Sequence, residues 1–305
     1  MIRPCSYTYE EFPVSDETAE GMRSVPTTRE DYFVTYHENV PYIKRNGQNL
    51  RLQILKPEYI ERGVGRFPCI VYIKGSGWRR QELYRSLPSL SLFASRGYVI
   101  ALVEYRHSGL APFPAQVIDA KTAVRFMRKN AELYGIDSEN IFVWGDSSGG
   151  HTALFVGLTQ DTGELETVDF EGFSSKVNAV VDFFGPADIT SMGDYPSCSD
   201  MGPGSPAGML LGRISIPENP DKAKSASPIN YIRGDVPPVL ILHGDRDRKV
   251  PFNQSVSMYK ALIEKGCDCE FIKLKDADHG GPQFWTENIL DMVEKFIKRC
   301  AKSKL

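Results

Sequence analysis

Ile141-Phe-Val-Trp-Gly-Asp-Ser-Ser-Gly-Gly-His-Thr-Ala-Leu-Phe-Val156 is the stretch of sequence that decides the fold. Its first four residues form a short apolar run typical of a buried strand, and the apolar residues after Gly150 predict a helix. The glycines on either side of Ser147 permit a tight turn between the two, which exposes the serine hydroxyl at the end of the strand. The first N–H groups of the helix face the same point and favour developing negative charge. The pattern therefore predicts a nucleophilic serine rather than a plain N-cap serine.

Short apolar runs with helical stretches between them recur along the rest of the chain. Four more of these runs are 69–73, 98–103, 177–184 and 239–242. Continuous apolar runs are typical of strands that are buried on both faces. Strands that alternate with amphipathic helices predict an α/β fold, with a mostly parallel central sheet of about eight strands and helices on both faces. A hairpin turn around Asn46-Gly47 adds an antiparallel edge to that sheet.

The sequence predicts one domain with an extension and an insertion. Residues 1–33 are polar, contain Pro13 and Pro26 and lack periodicity, so we interpret them as an N-terminal extension. Residues 34–305 form the predicted domain. Within it, the segment 186–236 interrupts the alternation of strands and helices and is rich in Gly, Pro, Ser and Met. Because a segment this long in a compact domain usually has a function, we predict a lid-like insertion over a site.

Composition and charge exclude several classes of partner. The 305 residues carry a formal net charge of −3, so neither nucleic acid nor an anionic membrane is an expected partner. No run approaches the roughly 20 apolar residues of a membrane helix, and the first residues lack a signal-peptide pattern. Six scattered cysteines show no disulfide or metal spacing. We therefore expect a cytoplasmic protein that acts on a small molecule, with the oligomeric state, a homodimer included, left open.

A nucleophilic serine requires a base, and histidine is the usual one near neutral pH. The chain has five histidines, which are His37, His107, His151, His243 and His279. His279 follows the strand-like run 270–275 and lies in a glycine-containing loop, at the edge where sites of parallel sheets form. His279 is therefore the predicted base. His151 lies early in the predicted helix and is expected to pack there, while His107 and His243 are weaker candidates.

An orienting carboxylate is expected between the serine and the histidine along the chain. Asp245 and Asp247 directly follow the apolar run 239–242, and either could hold the imidazole in its working tautomer. Asp182, near the end of the preceding apolar run 177–184, is a more distant third candidate. The residues alone do not separate Asp245 from Asp247.

Three motifs carry a resemblance to a known family. They are Gly145-Asp-Ser-Ser-Gly-Gly150, His243-Gly-Asp-Arg-Asp-Arg-Lys-Val-Pro251 and the Asp-His-Gly of 278–280. Together they resemble the carboxylesterase and hormone-sensitive-lipase-like branch of the α/β-hydrolases, above all small bacterial esterases of the acetylxylan and feruloyl type. The resemblance implies an α/β-hydrolase fold and makes Asp247, the second aspartate before Val-Pro, the acid. It also implies esters with short or aromatic acyl groups, some of them carbohydrate-linked.

The segment Lys74-Gly-Ser-Gly-Trp78 follows another predicted strand. In the resembling esterases this position reads His-Gly-Gly-Gly-Trp or nearly so, and its backbone amides bind the oxyanion. We therefore predict that the N–H groups of Ser76, Gly77 and Ser148 form an oxyanion hole. Lys74 in place of the histidine and Ser76 in place of a glycine raise the question of how this loop is anchored and which backbone conformation it adopts.

No motif for a cofactor or a metal accompanies these residues. The chain has no complete dinucleotide fingerprint, no Gly-Lys-Ser/Thr phosphate loop and no HExxH motif. The predicted function is hydrolysis of carboxylic esters through an acyl-enzyme on Ser147, without cofactor or metal. Substrate contacts are predicted for Trp78, Tyr195 and Trp285. Two alternatives remain, an arylformamidase-like amide hydrolase and a non-catalytic ligand-binding protein on the same scaffold.

Overall fold

The computed structural model of the chain describes residues 6–8, 10–26, 32–59, 65–160 and 162–302. The chain divides into two units, Met1–Asp31 and Tyr32–Leu305. The described residues of the first unit contain turns and extended chain but no helix or strand. The second unit contains the sheet, the helices and the candidate site.

In the described part of the chain, eight strands form a single sheet. They are β1 Tyr32–Arg45, β2 Gln48–Tyr59, β3 Phe67–Ile73, β4 Val99–Val103, β5 Ile136–Asp146, β6 Val180–Phe183, β7 Val239–Gly244 and β8 Cys269–Leu274. Their order across the sheet is β1-β2-β4-β3-β5-β6-β7-β8. The pairs β1–β2 and β2–β4 are antiparallel and the other neighbours are parallel. The predicted α/β class with a mostly parallel sheet is confirmed.

Helices cover both faces of this sheet. Those of the described residues are α1 Leu87–Ala94, α2 Ala115–Lys129, α3 Ser148–Leu158, α4 Pro206–Leu210, α5 Pro220–Ser225, α6 Asn253–Glu264 and α7 Glu287–Cys300. One core cluster joins α2, α3 and α6 to the sheet, and a second joins α1 and α7 to it. None of the helices in these ranges combines the length and the apolar character that crossing a membrane requires.

Strand β3 shows why its sequence is apolar throughout. Val71 and Ile73 belong to the core cluster of α2, α3 and α6, whereas Ile70 and Tyr72 belong to that of α1 and α7. Successive side chains of a strand point to opposite faces, so a strand between two helix layers needs an apolar residue at every position. All residues of β3 are buried, and burying one large apolar side chain contributes roughly 1.5–3 kcal/mol. The centre of the sheet is therefore a rigid support for the loops at its edge.

The turn between β1 and β2 contains Asn46 and Gly47, with φ angles of 47° and 83°. Positive φ at both central residues is what a two-residue hairpin of the primed type requires. The hairpin forms at the predicted Asn-Gly pair, and β1 is an antiparallel edge of the sheet.

The parallel direction of β3, β5, β7 and β8 brings their carboxyl ends to one edge of the sheet. The loops that follow these strands carry the segment 74–78, Ser147, Asp247 and His279. Ligand sites of open α/β sheets form at this edge. Topology alone therefore places the predicted site residues on the same side of the molecule.

The segment between β6 and β7 has little regular structure. It contains the short helices α4 and α5 and the 3-10 turns Ile189–Asp194 and Pro228–Tyr231. A third apolar cluster packs its Ile189 and Leu210 with Trp78. The segment thus lies against the loop after β3, next to the candidate site. Its function as a lid stays a prediction.

Candidate active site

Ser147 occupies a strained turn between β5 and α3. β5 ends at Asp146 and α3 begins at Ser148, so both extend closer to Ser147 than the sequence pattern indicated. Ser147 has a φ of 54° and a ψ of −124°, a conformation that costs a non-glycine residue roughly 1 kcal/mol or more. Its N–H donates to the carbonyl oxygen of Phe183 at 2.8 Å, which helps to hold the turn. The turn exposes the hydroxyl at the carboxyl edge of the sheet.

The glycines around Ser147 are required by close packing. A Cβ atom on Gly145 would lie 2.2 Å from the carbonyl oxygen of Gly149, and one on Gly149 would lie 1.9 Å from that of Ile73. Both distances are far below van der Waals contact, so a side chain at either position would push α3 away from the sheet. The Gly-x-Ser-x-Gly pattern follows from this packing.

Two hydrogen bonds join Ser147, His279 and Asp247. His279 Nε2 lies 2.8 Å from Ser147 Oγ, and His279 Nδ1 lies 2.7 Å from Asp247 Oδ2. An ionised carboxylate only accepts, so Nδ1 carries the proton and Nε2 is left to accept from the Ser147 hydroxyl. The structure thus brings together the three residues that the sequence analysis proposed for catalysis, in the arrangement of an activated nucleophile.

Asp247 is a buried carboxylate with four hydrogen-bond donors. Its Oδ1 accepts from the N–H groups of Lys249 and Val250 at 2.8 and 2.9 Å. Its Oδ2 faces both His279 and His243. Burial raises the pKa of Asp247, but the hydrogen bonds from the two histidines outweigh burial and hold that pKa below its ordinary value. The acid therefore stays ionised beside His279.

His243 is buried and contacts Asp247. Its Nε2 is 3.1 Å from Asp247 Oδ2 and 3.0 Å from the carbonyl oxygen of Val250, and its Nδ1 is 2.7 Å from Ser255 Oγ. Both neighbours of Nε2 are acceptors, so this nitrogen carries a proton. The sequence left His243 as a weaker candidate for the base, but the structure makes it a donor to the acid.

The other two aspartates considered as the acid have different partners. Asp245 Oδ1 accepts from the N–H of Asp276 at 2.8 Å and so connects the loops after β7 and β8. Asp182 is buried and accepts from the N–H of Gly185 at 2.9 Å, and burial raises the pKa of Asp182 to about 7. Within the described ranges, neither carboxylate hydrogen-bonds to a histidine.

His151 is buried in α3 and connects three segments. Its Nδ1 accepts from Trp78 Nε1 at 3.3 Å, and its Nε2 lies 2.8 Å from the carbonyl oxygen of Ala226. Burial lowers the pKa of His151 to about 4 and outweighs the hydrogen bond to Ala226. His151 therefore packs in the helix as the sequence predicted. The other weak candidate, His107, accepts from the N–H of Gly109 in a local turn.

Two N–H groups beside Ser147, those of Gly77 and Ser148, have no hydrogen-bond acceptor among the residues that the structure describes. The prediction for Ser76 differs from the structure. The N–H of Ser76 donates to Ser148 Oγ at 2.9 Å, and an N–H group makes one well-aligned hydrogen bond at a time. Gly77 and Ser148 are therefore the remaining candidates for oxyanion donors.

The loop after β3 is anchored without the side chain of Lys74. Asp146 Oδ1 accepts from the N–H of Gly75 at 3.0 Å and from the hydroxyl of Tyr72 at 2.7 Å. The hydroxyl of Tyr105 lies 3.1 Å from the carbonyl oxygen of Lys74. The substitution of lysine for histidine at position 74 therefore leaves the anchoring of the loop intact.

Ser76 fits the loop because the residues with a left-handed backbone conformation are its neighbours and not Ser76 itself. Positive φ occurs at Gly77 and Trp78, at 63° and 53°, and not at Ser76. The Ser76 hydroxyl donates to the carbonyl oxygen of Arg79 at 2.7 Å and lies 3.1 Å from the Tyr105 hydroxyl. The serine therefore stabilises this turn, and its backbone is not in the strained conformation that replacing a glycine could have required.

A pocket with a volume of about 670 Å³ surrounds Ser147. This size is ordinary for a small-molecule site. Its lining combines aromatic, hydroxyl-bearing and cationic side chains, among them Trp78, Phe184, Trp285, Ser86, Ser199, Ser205, Lys74 and Arg79.

Two of the three residues predicted to contact the substrate line the pocket, and the third does not. Trp78 and Trp285 line the pocket, although Trp78 is largely buried. Tyr195 is not among the lining residues and the residue is 46% exposed, so its contact with the substrate stays a prediction. Phe184 was missed, yet its ring centroid lies 4.8 Å from that of His279. Its position directly after β6, at the same edge of the sheet, is the signal that could have found it.

The sheet order, the strained serine turn and the hydrogen-bonded chain of Ser147, His279 and Asp247 define an α/β-hydrolase with a serine at its site. The model of the BD-FAE family matches residues 52–262, and the chain belongs to this family.

Named relatives and solved structures agree with this class. Esterase LipQ of Mycobacterium tuberculosis is 28% identical over 81% of this chain and 58% of its own length. The chain spans about half the length of the curated relatives it matches. A truncated carbohydrate esterase from gut microbiota is 32% identical with a TM-score of 0.78, covering 90% of this chain and 99% of that one. Esterase 2 of Thermogutta terrifontis with bound propionate is 26% identical with a TM-score of 0.70, covering 90% and 97%.

Proposed function

We propose that this chain is a serine esterase that hydrolyses carboxylic esters through an acyl-enzyme on Ser147. The observation that carries the proposal is the hydrogen-bonded chain from Asp247 through His279 to the Ser147 hydroxyl, at 2.7 and 2.8 Å. Such an arrangement makes a serine nucleophilic near neutral pH. The names of LipQ and of the Thermogutta enzyme, both esterases, support the same activity.

Acylation begins with proton transfer within this chain of residues. His279 Nε2 takes the hydroxyl proton of Ser147 while its oxygen attacks the carbonyl carbon of the ester. The ionised Asp247 stabilises the imidazolium that forms and keeps its second nitrogen protonated. His279 then returns the proton to the leaving alcohol, and the acyl group stays on Ser147.

The negative charge on the carbonyl oxygen requires donors at the same point. The N–H groups of Gly77 and Ser148 take this role, because no other acceptor in the described residues occupies them. Ser148 is also the first residue of α3, so the positive end of the helix dipole adds to the stabilisation. Ser76 contributes indirectly, since its N–H holds Ser148 Oγ at 2.9 Å and so fixes the loop beside α3.

Deacylation repeats these steps with water. His279 takes a proton from a water molecule, the hydroxide attacks the acyl carbonyl, and the same N–H groups bind the second oxyanion. The proton then passes from His279 to Ser147 Oγ as the carboxylic acid leaves. These steps use only side chains and backbone groups of this chain.

Short-chain or aromatic acyl esters, some of them carbohydrate-linked, are the proposed substrates. The pocket combines the aromatic residues Trp78 and Trp285 with the hydroxyl groups of Ser86, Ser199 and Ser205, a mixture suited to the apolar faces and hydroxyl groups of a sugar. The relative from gut microbiota is named as a carbohydrate esterase, and the Thermogutta enzyme holds propionate.

The wider organisation is part of the same proposal. The boundary expected after residue 33 moves to residue 31, because β1 begins at Tyr32. Residues 1–31 are then the extension, 32–305 the hydrolase domain and 186–236 the lid. Met192 and Ser205 of that insertion line the pocket, which supports its proposed role in access to the site. A cytoplasmic location completes the proposal.

Labelling with a fluorophosphonate tests the proposal directly, because the reagent reacts with activated serines. The intact mass of the wild-type chain should rise by one adduct, whereas Ser147→Ala should stay unlabelled. Ser174→Ala, which removes an exposed serine outside the pocket, is the matched control and should label normally. An unlabelled wild type, or equal labelling of Ser147→Ala, would contradict the esterase function.

A substrate panel separates the esterase from the two alternatives. Acetyl, butyryl and feruloyl esters should be hydrolysed faster than N-formylkynurenine. Faster turnover of N-formylkynurenine would identify an arylformamidase. Binding without turnover of any of these compounds would favour a ligand-binding protein.

A further inference from the structure

Cationic side chains outnumber carboxylates around the candidate site, although the whole chain has a formal net charge of −3. The cations that line the pocket are Lys74, Arg79, Arg85 and Lys249, and the aspartates are Asp146 and Asp200. The local excess of charge is therefore opposite in sign to the net charge of the chain.

Three of these four cations have no charged partner among the described residues, and one of the three, Arg79, donates a hydrogen bond to the carbonyl oxygen of Gly204 at 3.3 Å. Arg85 forms an ion pair with Glu82 at 2.7 Å. Lys74, Arg79 and Lys249 form no ion pair with any residue that the structure describes. Their charge is thus not neutralised within this part of the protein.

The two aspartates are engaged elsewhere. Asp146 Oδ1 accepts hydrogen bonds from Tyr72 and Gly75, at 2.7 and 3.0 Å. Asp200 Oδ1 accepts from the N–H of Gly202 at 2.8 Å. Neither forms an ion pair with a pocket cation in the described ranges. These neutral donors leave both carboxylates charged, so the three unpaired cations exceed the two aspartates by one positive charge, and this excess favours an anion that the substrate brings.

Lys74 differs from the other two unpaired cations in its position. It begins the loop that carries Gly77, and as a residue it is half-buried and lines the pocket, whereas Arg79 and Lys249 are exposed. An ion pair in a partly desolvated wall is stronger than one at the surface, where water and salt screen it. The resembling esterases have a histidine at this position, so the lysine distinguishes this chain from them.

We propose that the esters hydrolysed at this site carry a carboxylate, which Lys74 binds and which Arg79 and Lys249 attract at the rim. This inference rests on the esterase function proposed above and specifies its substrate class. The carboxylate belongs either to the acyl part, as in a half-ester of a dicarboxylic acid, or to the alcohol part, as in an acetylated sugar acid. In both cases the ammonium of Lys74 forms a charge-assisted hydrogen bond with it.

Two pairs of esters that differ only in charge test both sources. 3-Acetoxybenzoate against 3-acetoxybenzamide places the carboxylate on the alcohol. 4-Nitrophenyl hydrogen adipate against 4-nitrophenyl adipamate places it on the acyl group. In one of these pairs the wild-type kcat/KM should favour the anion by about tenfold at low ionic strength. The preference should shrink at high salt, because screening weakens the attraction.

Variants of Lys74 show whether this residue binds the charge. Lys74→Gln should bring the ratio of the two kcat/KM values close to one, and Lys74→Arg, which keeps the charge, should retain most of the preference. Lys260→Gln removes an exposed lysine of α6 outside the pocket and should keep the wild-type ratio.

The results distinguish a failure of the carboxylate inference from a failure of the esterase function. Equal turnover of charged and neutral esters by the wild type, or an unchanged ratio in Lys74→Gln, would overturn the carboxylate inference and leave the esterase function standing. No turnover of any of the four esters, together with an unlabelled Ser147, would instead overturn the esterase function.

Discussion

His243 Nε2 lies 3.1 Å from Asp247 Oδ2, the same oxygen that faces His279 Nδ1 at 2.7 Å. The proposed acid is therefore held between two histidines, of which one is buried and the other faces Ser147. Ser255 Oγ, 2.7 Å from His243 Nδ1, fixes the buried ring in turn. His243 is thus a positioning residue that directs the carboxylate toward the base.

Replacing His243 by leucine should lower kcat on a short-chain nitrophenyl ester by roughly 10- to 100-fold, which corresponds to the roughly 1.5–3 kcal/mol of a hydrogen bond to a charged group. KM should change little, because His243 contacts Asp247 and does not line the pocket. His243→Gln, whose amide can donate in place of Nε2, should recover part of the rate. Equal losses in the two variants would argue against a role for this hydrogen bond.

Asp247→Asn should lower kcat by about 10⁴-fold, because an amide at this position favours the wrong tautomer of His279. Asp245→Asn is the matched control. It keeps an oxygen that can accept from the N–H of Asp276, so kcat should fall by about tenfold at most. Kinetics on the two folded variants measure the difference. A larger loss of kcat in Asp245→Asn than in Asp247→Asn would show that Asp245, and not Asp247, is the acid.

The sheet, Ser147 and His279 could be predicted because each depends on a local pattern, an apolar strand followed by a glycine-containing loop. Asp245 and Asp247 could not be separated in this way. They lie two residues apart after the same strand, and only the path of the backbone determines which carboxylate turns toward His279. The resemblance to esterases favoured Asp247, and the structure places Asp247 there.

Contacts between residues that are far apart in the sequence could not be predicted from local sequence patterns. The N–H of Ser76 meets Ser148 Oγ across a separation of 72 residues, because β3 and β5 are neighbours in the sheet. Tyr195 was expected in the pocket as an aromatic residue of the insertion. The insertion is irregular, so no periodicity could show that this side chain is exposed.

Gly75→Ala should lower kcat by roughly 10²- to 10³-fold, the usual effect of losing an oxyanion donor. The added Cβ atom would lie 2.4 Å from the carbonyl oxygen of Asp146 and 2.8 Å from Ser147 Cβ. The loop must move away from the nucleophile to relieve this overlap, and the N–H of Gly77 moves with it. Gly234→Ala, at an exposed glycine outside the pocket where the new atom would lie 3.4 Å from the carbonyl oxygen of Lys265, controls for a general effect on the backbone. Full activity of Gly75→Ala would exclude Gly77 as a donor.

Ionisation of His151 should destabilise the folded protein as the pH falls. Burial lowers the pKa of His151 to about 4 from an ordinary 6.5. Between these values the unfolded chain binds a proton that the folded protein does not, so the free energy of unfolding decreases toward low pH, by roughly 3 kcal/mol in all. His151→Gln should lack this contribution. Urea unfolding between pH 4 and pH 7 measures it, and parallel curves for variant and wild type would contradict it.

Asp182 should act in the opposite direction over nearly the same range. Burial raises its pKa to about 7 from 3.8, so in this window the folded protein keeps a proton that the unfolded chain has released. The stabilisation is complete below pH 3.8 and is lost as the pH rises to about 7. Asp182→Asn keeps an acceptor for the N–H of Gly185 and removes the pH-dependent contribution of Asp182 to the free energy of unfolding. In the wild type the two groups change the free energy of unfolding with pH in opposite directions. His151→Gln keeps only the effect of Asp182 and should lose stability as the pH rises. Asp182→Asn keeps only the effect of His151 and should gain stability as the pH rises. Slopes of the same sign in both variants would contradict the assignment of these two groups.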